Sequence, residues 1–269
     1  MTSGEEPAGL DTGVAHISRI QNYWRGGTDF FPADRVAAEE AMAAYPDRVA
    51  SVRANQAFLA RSVRYLAGEA GIRQFLDIGT GLPVAGSVHE IARDVAPDCR
   101  VVYADNDPVV LAHAAALLAG SPADRTRYVD ADVRDTASLL DQAGTVLDLT
   151  APVAVMLVSV LHMVEDRDDP HAIVARLMDA VPAGSFLALT HVASDLEPEA
   201  MAEVNRRVNR RVARPVTLRD QAAVRRLFAG LDLVPPGIVR VPQWRPDSAG
   251  DAATPSAQWG AVARKPAHG

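Results

Sequence analysis

Cysteine is almost absent from this chain. Cys99 stands alone, so no intrachain disulfide can form, and the sequence fits a reducing, cytoplasmic setting. Long apolar runs are missing as well. The longest, Ala151 to Val164, contains Ser159 and His162 and falls short of the roughly 20 residues that a membrane span needs. No membrane partner is therefore expected. Positive charge is in deficit, with a formal net charge of −7, which disfavours non-specific nucleic-acid binding. The opening MTSGEEPAGLDTG is polar and acidic and lacks the apolar stretch of a secretory signal. No internal repeat and no long low-complexity tract interrupts the 269 residues. What remains, 48% apolar and 23% charged, suits a folded protein with one sizeable domain and extra segments.

The stretch Gln74 to Gly86, QFLDIGTGLPVAG, organises the rest. Phe75, Leu76 and Ile78 form a short apolar run that breaks into glycine, the pattern of a buried parallel strand ending in a tight turn. Ser87 and Glu90 then have capping-box spacing, and Val88, Ile91, Ala92 and Val95 follow at helical intervals. Gly79 and Gly81 let a ligand approach the backbone, although a GxG after a strand is also an ordinary turn. A dinucleotide fingerprint would need glycine where Val84 stands, and the Lys-Ser/Thr ending of a P-loop is missing. Asp77 repels phosphate and welcomes a positive charge, so a ligand carrying an ammonium group suits the loop better.

Before this strand, Ala15 to Trp24, Asp34 to Tyr45 and Asp47 to Ala67 read as helices, forming an N-terminal cap. The segment RGGTDFFPADR, Arg25 to Arg35, reads as a connector whose Pro32 opens the next helix, or as a lid over the ligand; its composition favours the connector. After the central helix, RVVYAD is a second buried strand ending at Asp105, where an alternating fold places the acid that holds a ribose diol. Asp107 and Pro108 open a helix that Gly120 closes. Thr126 to Val129 is a third strand. Beyond it, Asp132 and Val133 read an adenine edge and ring, or else Asp130, Asp132 and Asp135 are a solvated acidic turn. The spacing of the three is not that of a calcium loop, and no metal site is expected. Pro152 to Val158 is the strand at the sheet centre. It leads to His162, which reads either as a general base facing substrate or as a packed, hydrogen-bonded core residue. Phe186 to Val192 is a fifth strand. Arg206, Arg207, Arg210, Arg211 and Arg214 crowd one helix, a pattern that usually marks a solvated face but also attracts an acidic substrate or RNA. Thr217 and Asp220 have capping-box spacing. Leu231 to Val234, Ile238 to Val241 and Trp259 to Ala263 supply the last strands, with a long, polar, mobile loop, VPQWRPDSAGDAATPS, before the final one.

Five α/β steps and a terminal strand pair resemble the class I S-adenosylmethionine (SAM) methyltransferase fold. The segments QNYWRGGTDFFPADR, FLDIGTGLP, VVYADNDPVVLAHA and GLDLVPPGIVRVPQWRP resemble, more narrowly, the actinobacterial SAM-dependent methyltransferase family once catalogued as DUF574. The resemblance covers Ile17 to Ala263. It implies a Rossmann-like α/β fold: a mostly parallel seven-stranded sheet with an antiparallel last strand and helices on both faces. It divides the chain into a disordered start (1–14), a helical cap (15–72) and a SAM-binding domain (73–269). Asp77, Gly79, Thr80 and Gly81 would line the methionine end of SAM. Asp105 would hold the ribose, Asn106, Asp132 and Val133 would meet the adenine, and Ser159 would face the methyl group. The GG-D-F-ADR segment is the most specific part and reverses the connector reading: Tyr23, Gly26, Gly27, Asp29, Phe30 and Arg35 would help build the pocket. The usual methyltransferase loop has a third glycine where this chain has Pro83. VLHMVED resembles the LHH-type segment of small-molecule O-methyltransferases, in which the histidine deprotonates a hydroxyl; here Met163 stands at the second histidine.

The expected function is methyl transfer from SAM to a small-molecule acceptor, with oligomeric state left open. A non-catalytic SAM-binding sensor or interaction module is the alternative. An RNA methyltransferase using the arginine cluster is a third reading, against which stand the acidic charge and the lack of an Asn-Pro-Pro-Tyr-type motif after strand four.

Overall fold

The computed structural model describes residues 11–83, 86–118 and 125–267, without the side chains of 115–118. Gly120, Val84 and residues 1–10 of the expected disordered start lie outside them. Three helices come first: α1 (Ile17–Trp24), α2 (Pro32–Ala44) and α3 (Arg48–Gly68). Strands and helices then alternate: β1 (Gln74–Ile78), α4 (Val88–Val95), β2 (Arg100–Asp105), α5 (Pro108–Leu118), β3 (Thr126–Asp130), α6 (Thr136–Ala143), β4 (Ala154–Val158), α7 (Pro170–Asp179) and β5 (Phe186–Val192). The chain finishes with α8 (Pro198–Asn209), α9 (Gln221–Arg226), β6 (Asp232–Leu233), β7 (Val239–Arg240), α10 (Ala249–Ala252) and β8 (Gln258–Arg264).

The strand order is β3-β2-β1-β4-β5-β8-β6, with β7 also paired to β8. Strands β1 to β5 pair in parallel, and β8 runs antiparallel to β5. Among the described residues the sheet thus has eight strands rather than seven, because Val239–Arg240 adds a two-residue rung against Trp259 and Gly260. Alternation along the strands explains the two cores. Leu76, Val102, Val155, Leu157 and Leu187 pack on one face with residues of α6, α7 and α9. Phe75, Val101, Tyr103, Met156 and Ala188 pack on the other with α3 and α4. Burying each such side chain stabilises by about 1.5–3 kcal/mol before entropy is counted.

A third apolar cluster, which touches the sheet at Val192 of β5, joins Ile20, Trp24, Ala37 and Ala41 to Val204 and Val208 of α8. Its polar centre is Asp34, which is fully buried. Its carboxylate accepts the His16 N–H at 2.7 Å and the Phe31 N–H at 2.8 Å, and pairs with Arg19 Nε at 3.0 Å. The ADR motif is therefore a tie inside the cap.

Several local expectations change. Helix α6 was not foreseen. Asp220 alone caps α9, accepting the Ala223 N–H at 2.7 Å, because the Thr217 N–H is turned to the His162 carbonyl. The polar loop before β8 is pinned: Trp244 is buried against Phe58, and its carbonyl accepts from Arg61 Nε at 2.8 Å. Three of the five clustered arginines are paired, Arg206 and Arg207 of α8 with Glu203 and Arg211, just beyond the helix, with Glu40.

Arg219 clamps the segment after β4. Its guanidinium donates to the carbonyls of Leu161 and Val164, to Asp166 and to His191 Nε2 at 2.7 Å. His191 Nδ1 faces the Val192 carbonyl at 2.8 Å, so the ring is held neutral with the proton on Nδ1. Burial, reinforced by the Arg219 charge, pushes this imidazole down to about 4. A base whose folded value is depressed contributes stability above its ordinary value of 6.5, and loses it as pH falls toward 4. Urea unfolding at pH 7 and pH 4.5 should show a loss of about 2–3 kcal/mol from this residue. His191→Gln should flatten the profile by that amount; an unchanged profile would contradict the buried neutral ring.

Candidate active site

In open α/β sheets, ligands bind beyond the carboxyl ends of the strands, where the connections diverge. Here β1 sits between β2 and β4, and a cavity of about 460 Å³ opens at that point. That volume is within the range of small-ligand pockets. Asp77, Gly79, Thr80 and Gly81 line it from β1 and its loop, Asp105 and Asn106 from the end of β2, Asp132 and Val133 from the segment after β3, and Ser159 from just after β4. All nine residues expected to touch cofactor thus share one cavity.

The loop after β1 is tied to the end of β2. The Gly79 N–H donates to the Ala104 carbonyl and the Gly81 N–H to Asp105 Oδ2, both at 2.8 Å. Gly79 has φ of +71°, and a Cβ there would lie 2.3 Å from Val160 Cγ2, so both conformation and space require glycine. Glu90 Oε2 accepts the Gly86 and Ser87 N–H groups at the start of α4, as capping-box spacing predicts.

Asp77 is buried, and desolvation pushes its carboxyl up to about 7. Hydrogen bonding from Thr80 and the charge of Arg25 pull it down, while Asp105 pushes it up. Burial also raises Asp105, against hydrogen bonds from the Asp107 and Gly81 N–H groups. Asp132 behaves differently. Burial would raise it, but hydrogen bonds from Arg134 and Asn106 hold it below the usual carboxylate range. Ser159 has φ of +59°, and its hydroxyl bridges Gln258 Oε1 at 3.2 Å and Asn55 Nδ2 at 3.3 Å. A strained, hydrogen-bonded residue at a strand end often marks a functional site.

His162 is not in this cavity. It is 2% exposed and lies behind the wall, in a smaller pocket of about 20 Å³ with Arg48, Trp24 and Asn205. Burial, with His191 nearby, drives its imidazole well below the ordinary value, and Nδ1 has no hydrogen-bond partner among the described residues. The structure therefore places it in the core rather than opposite a substrate. The lid residues also fall outside the cavity lining. Tyr23 stacks edge-on against Phe30 at 5.0 Å and donates to Glu39, which pairs with Arg35. The turn closes on Asn22, whose side chain accepts the Asp29 N–H at 3.0 Å. Gly27 is packed so closely that a Cβ would meet Asn22 Oδ1 at 2.3 Å, while Gly26 is a turn residue with φ of +81°.

Other residues reach the cavity without having been foreseen. His16, Ser18 and Gln21 enter from α1 and its start, and Asn55 and Leu59 from α3, whereas Arg25 comes from the segment expected to build the pocket. Tyr103 and Tyr128 stack at 4.6 Å, also on the lining, and His89 donates its N–H to the Tyr103 hydroxyl at 2.8 Å. Only tertiary packing brings the cap residues here, so no local pattern announced them. Among the described residues, no cluster of three metal-ligating side chains forms. No helix there is long and apolar enough to cross a membrane.

The buried carboxyl of Asp77 has a measurable cost in the unliganded protein. An acid whose folded value is raised gives stability that is complete below about 4 and is lost as pH rises through 7. Asp77→Asn should therefore melt above wild type at pH 8, by about 5 °C, with the gap shrinking at pH 5. A variant less stable than wild type at both pH values would show that the carboxylate is compensated in the fold.

Comparison with known proteins agrees with this geometry. Residues 3–266 match the family model described as S-adenosyl methyltransferase. A DUF574 family protein from Streptomyces avermitilis is 46% identical, with a TM-score of 0.91, covering 95% of this chain and 99% of its own. A candidate methyltransferase from Thermobifida fusca is 37% identical, with a TM-score of 0.90, covering 97% and 98%. The more distant TnmH, 21% identical with a TM-score of 0.52 over 85% of this chain and 61% of that one, shares the fold. No curated protein matches. With its expected motifs gathered in one cavity and residues 3–266 matched, this chain belongs to the S-adenosyl methyltransferase family and is a SAM-dependent methyltransferase.

Proposed function

We propose that the protein methylates a small-molecule acceptor in the cytoplasm, using SAM held in the cavity beyond β1 and β4. The observation that carries this reading is the division of the cavity. One end has Asp77, Gly79, Thr80 and Gly81, which suits a methionine moiety. The other has Asp132 and Val133, which suits an adenine, with Asp105 and Asn106 between them for the ribose. The roof is made by α1 and α3, which supply Ile17, Gln21, Asn55 and Leu59. A roofed site of this size favours a compact acceptor over a polymer. In this reading, helices α1 to α3 act as a cap on a cofactor domain that begins near residue 73, and Ser159 faces the transferring group.

SAM supplies a methyl group already activated by its sulfonium. The protein's task is then to position the acceptor in line and to exclude water. Gly79 and Gly81 allow close approach of the donor, and Asp77 offers a carboxylate to the donor's ammonium. With His162 behind the cavity wall, no role as base is assigned to it, and the acceptor nucleophile must be one that reacts without that histidine. With Arg206, Arg207 and Arg211 paired to Glu203 and Glu40, the cluster gives RNA less free positive charge.

Incubation with methyl-labelled SAM and, separately, a metabolite extract, total RNA and total protein tests the acceptor class. Label should enter the low-mass fraction and be abolished by Asp105→Ala. Label in RNA or protein would overturn the small-molecule reading, and binding without label in any fraction would favour a non-catalytic module.

A further inference from the structure

Arg25 is the residue whose chemistry the fold leaves unfinished. It ends α1, with its own N–H bonded to the Gln21 and Asn22 carbonyls at 3.1 Å. The chain must then turn away at once, because Gly27 packs directly onto the Asn22 side chain. The side chain goes the other way, into the cavity shared with Asp77, Thr80 and Gly81. Its Nε is sealed from solvent and has no hydrogen-bond partner among the described residues. Asp77 attracts it electrostatically, yet the two form no ion pair, and burial lowers the guanidinium's proton affinity. The other arginines on the cavity wall are turned to Asp132: Arg134 is bonded to it, and Arg214 points at it from 4.0 Å.

A half-buried guanidinium whose Nε is sealed from water and meets no anion carries a desolvation cost that nothing offsets. Its planar fork of donors matches a carboxylate, which it can bind through two parallel hydrogen bonds. We propose that Arg25 anchors the carboxylate of SAM's methionine end, while Asp77 takes the adjacent ammonium. This rests on the cofactor reading above. The neighbouring pair then presents one positive and one negative group to a ligand end carrying the opposite two, and the four charges sum to zero. The acceptor is the other possible source of a carboxylate. The position of Arg25 beside Asp77 and the glycine loop assigns it to the cofactor. The Arg-Gly-Gly sequence is thereby explained without a lid: the arginine reads the cofactor, and the glycines let the chain leave.

Calorimetric titration separates these possibilities with three probes: S-adenosylhomocysteine, its decarboxylated 3-aminopropyl analogue, and 5′-methylthioadenosine, which lacks the amino-acid end. Wild type should bind S-adenosylhomocysteine roughly 10- to 100-fold more tightly than the decarboxylated analogue. Arg25→Gln should erase that ratio while leaving affinity for the two carboxylate-free probes unchanged, and Arg25→Lys should fall between. The proposal is overturned if wild type binds the first two probes equally, a comparison that does not depend on any variant folding. It is also overturned if Arg25→Gln keeps the full ratio, which would assign Arg25 to the acceptor or to structure. If wild type binds none of the three, the cofactor reading itself fails and takes this proposal with it.

Discussion

Two hydrogen bonds across the ends of β1 and β2 set the shape of this protein's functional end. The Gly79 N–H is held by the Ala104 carbonyl and the Gly81 N–H by the Asp105 carboxylate. Without them the loop after β1 would be free to fold over the strand ends. With them it becomes a fixed lip, with one side occupied by Val160 and the other open to the cavity. Asp105 serves twice in this arrangement: one carboxylate oxygen takes Gly81, and the other takes the Asp107 N–H, which leads into α5. A single side chain therefore links loop, strand and helix at the place where a ribose would sit.

The cap depends on a different buried acid. Asp34 gathers the N–H groups of His16 and Phe31 and the Arg19 guanidinium, and so fixes both ends of the segment that carries α1. Buried ion pairs seldom add net stability against an apolar substitute, but breaking one leaves the partner charge stranded. The result is positional: α1 is held so that Arg25, Gln21 and Ser18 come to the cavity from above. On the far side, Arg219 holds the Leu161 and Val164 carbonyls, and with them the chain that leads from Ser159 to Met163. Two buried polar clamps thus aim the roof and one wall at the same space.

Sequence alone revealed the parts of this arrangement that local rules govern. The apolar runs of β1, β2, β4 and β5 and the Ser87–Glu90 cap are short-range signals, and each lies where it was expected. The cofactor-side residues were legible because an alternating fold puts strand ends together, so position along the chain implied position in space. Side-chain direction was not legible in the same way. His162 read either as facing substrate or as a packed core residue, and only the short helical turn after β4 decides for the core, where it is 2% exposed. The aromatic and glycine-rich segment resembled a lid, yet Tyr23 and Phe30 pack on each other and only Arg25 turns inward. The arginine cluster read as a solvated face or an anion-attracting one; its pairing with Glu203 is local, but that of Arg211 with Glu40 of α2 is distant in sequence. Helix α6 escaped notice because its eight residues carry only a short apolar stripe.

The central claim is that the cavity beyond β1 and β4 is a SAM site whose ribose contact is Asp105. Titration of the purified protein with SAM, S-adenosylhomocysteine and NAD, beside the Asp105→Ala variant, tests it most directly. Binding of the first two in the micromolar range, lost in the variant and absent for NAD, is the predicted result. Binding of SAM that survives in Asp105→Ala would move the ribose elsewhere, and failure of both SAM and its product to bind would contradict the claim outright.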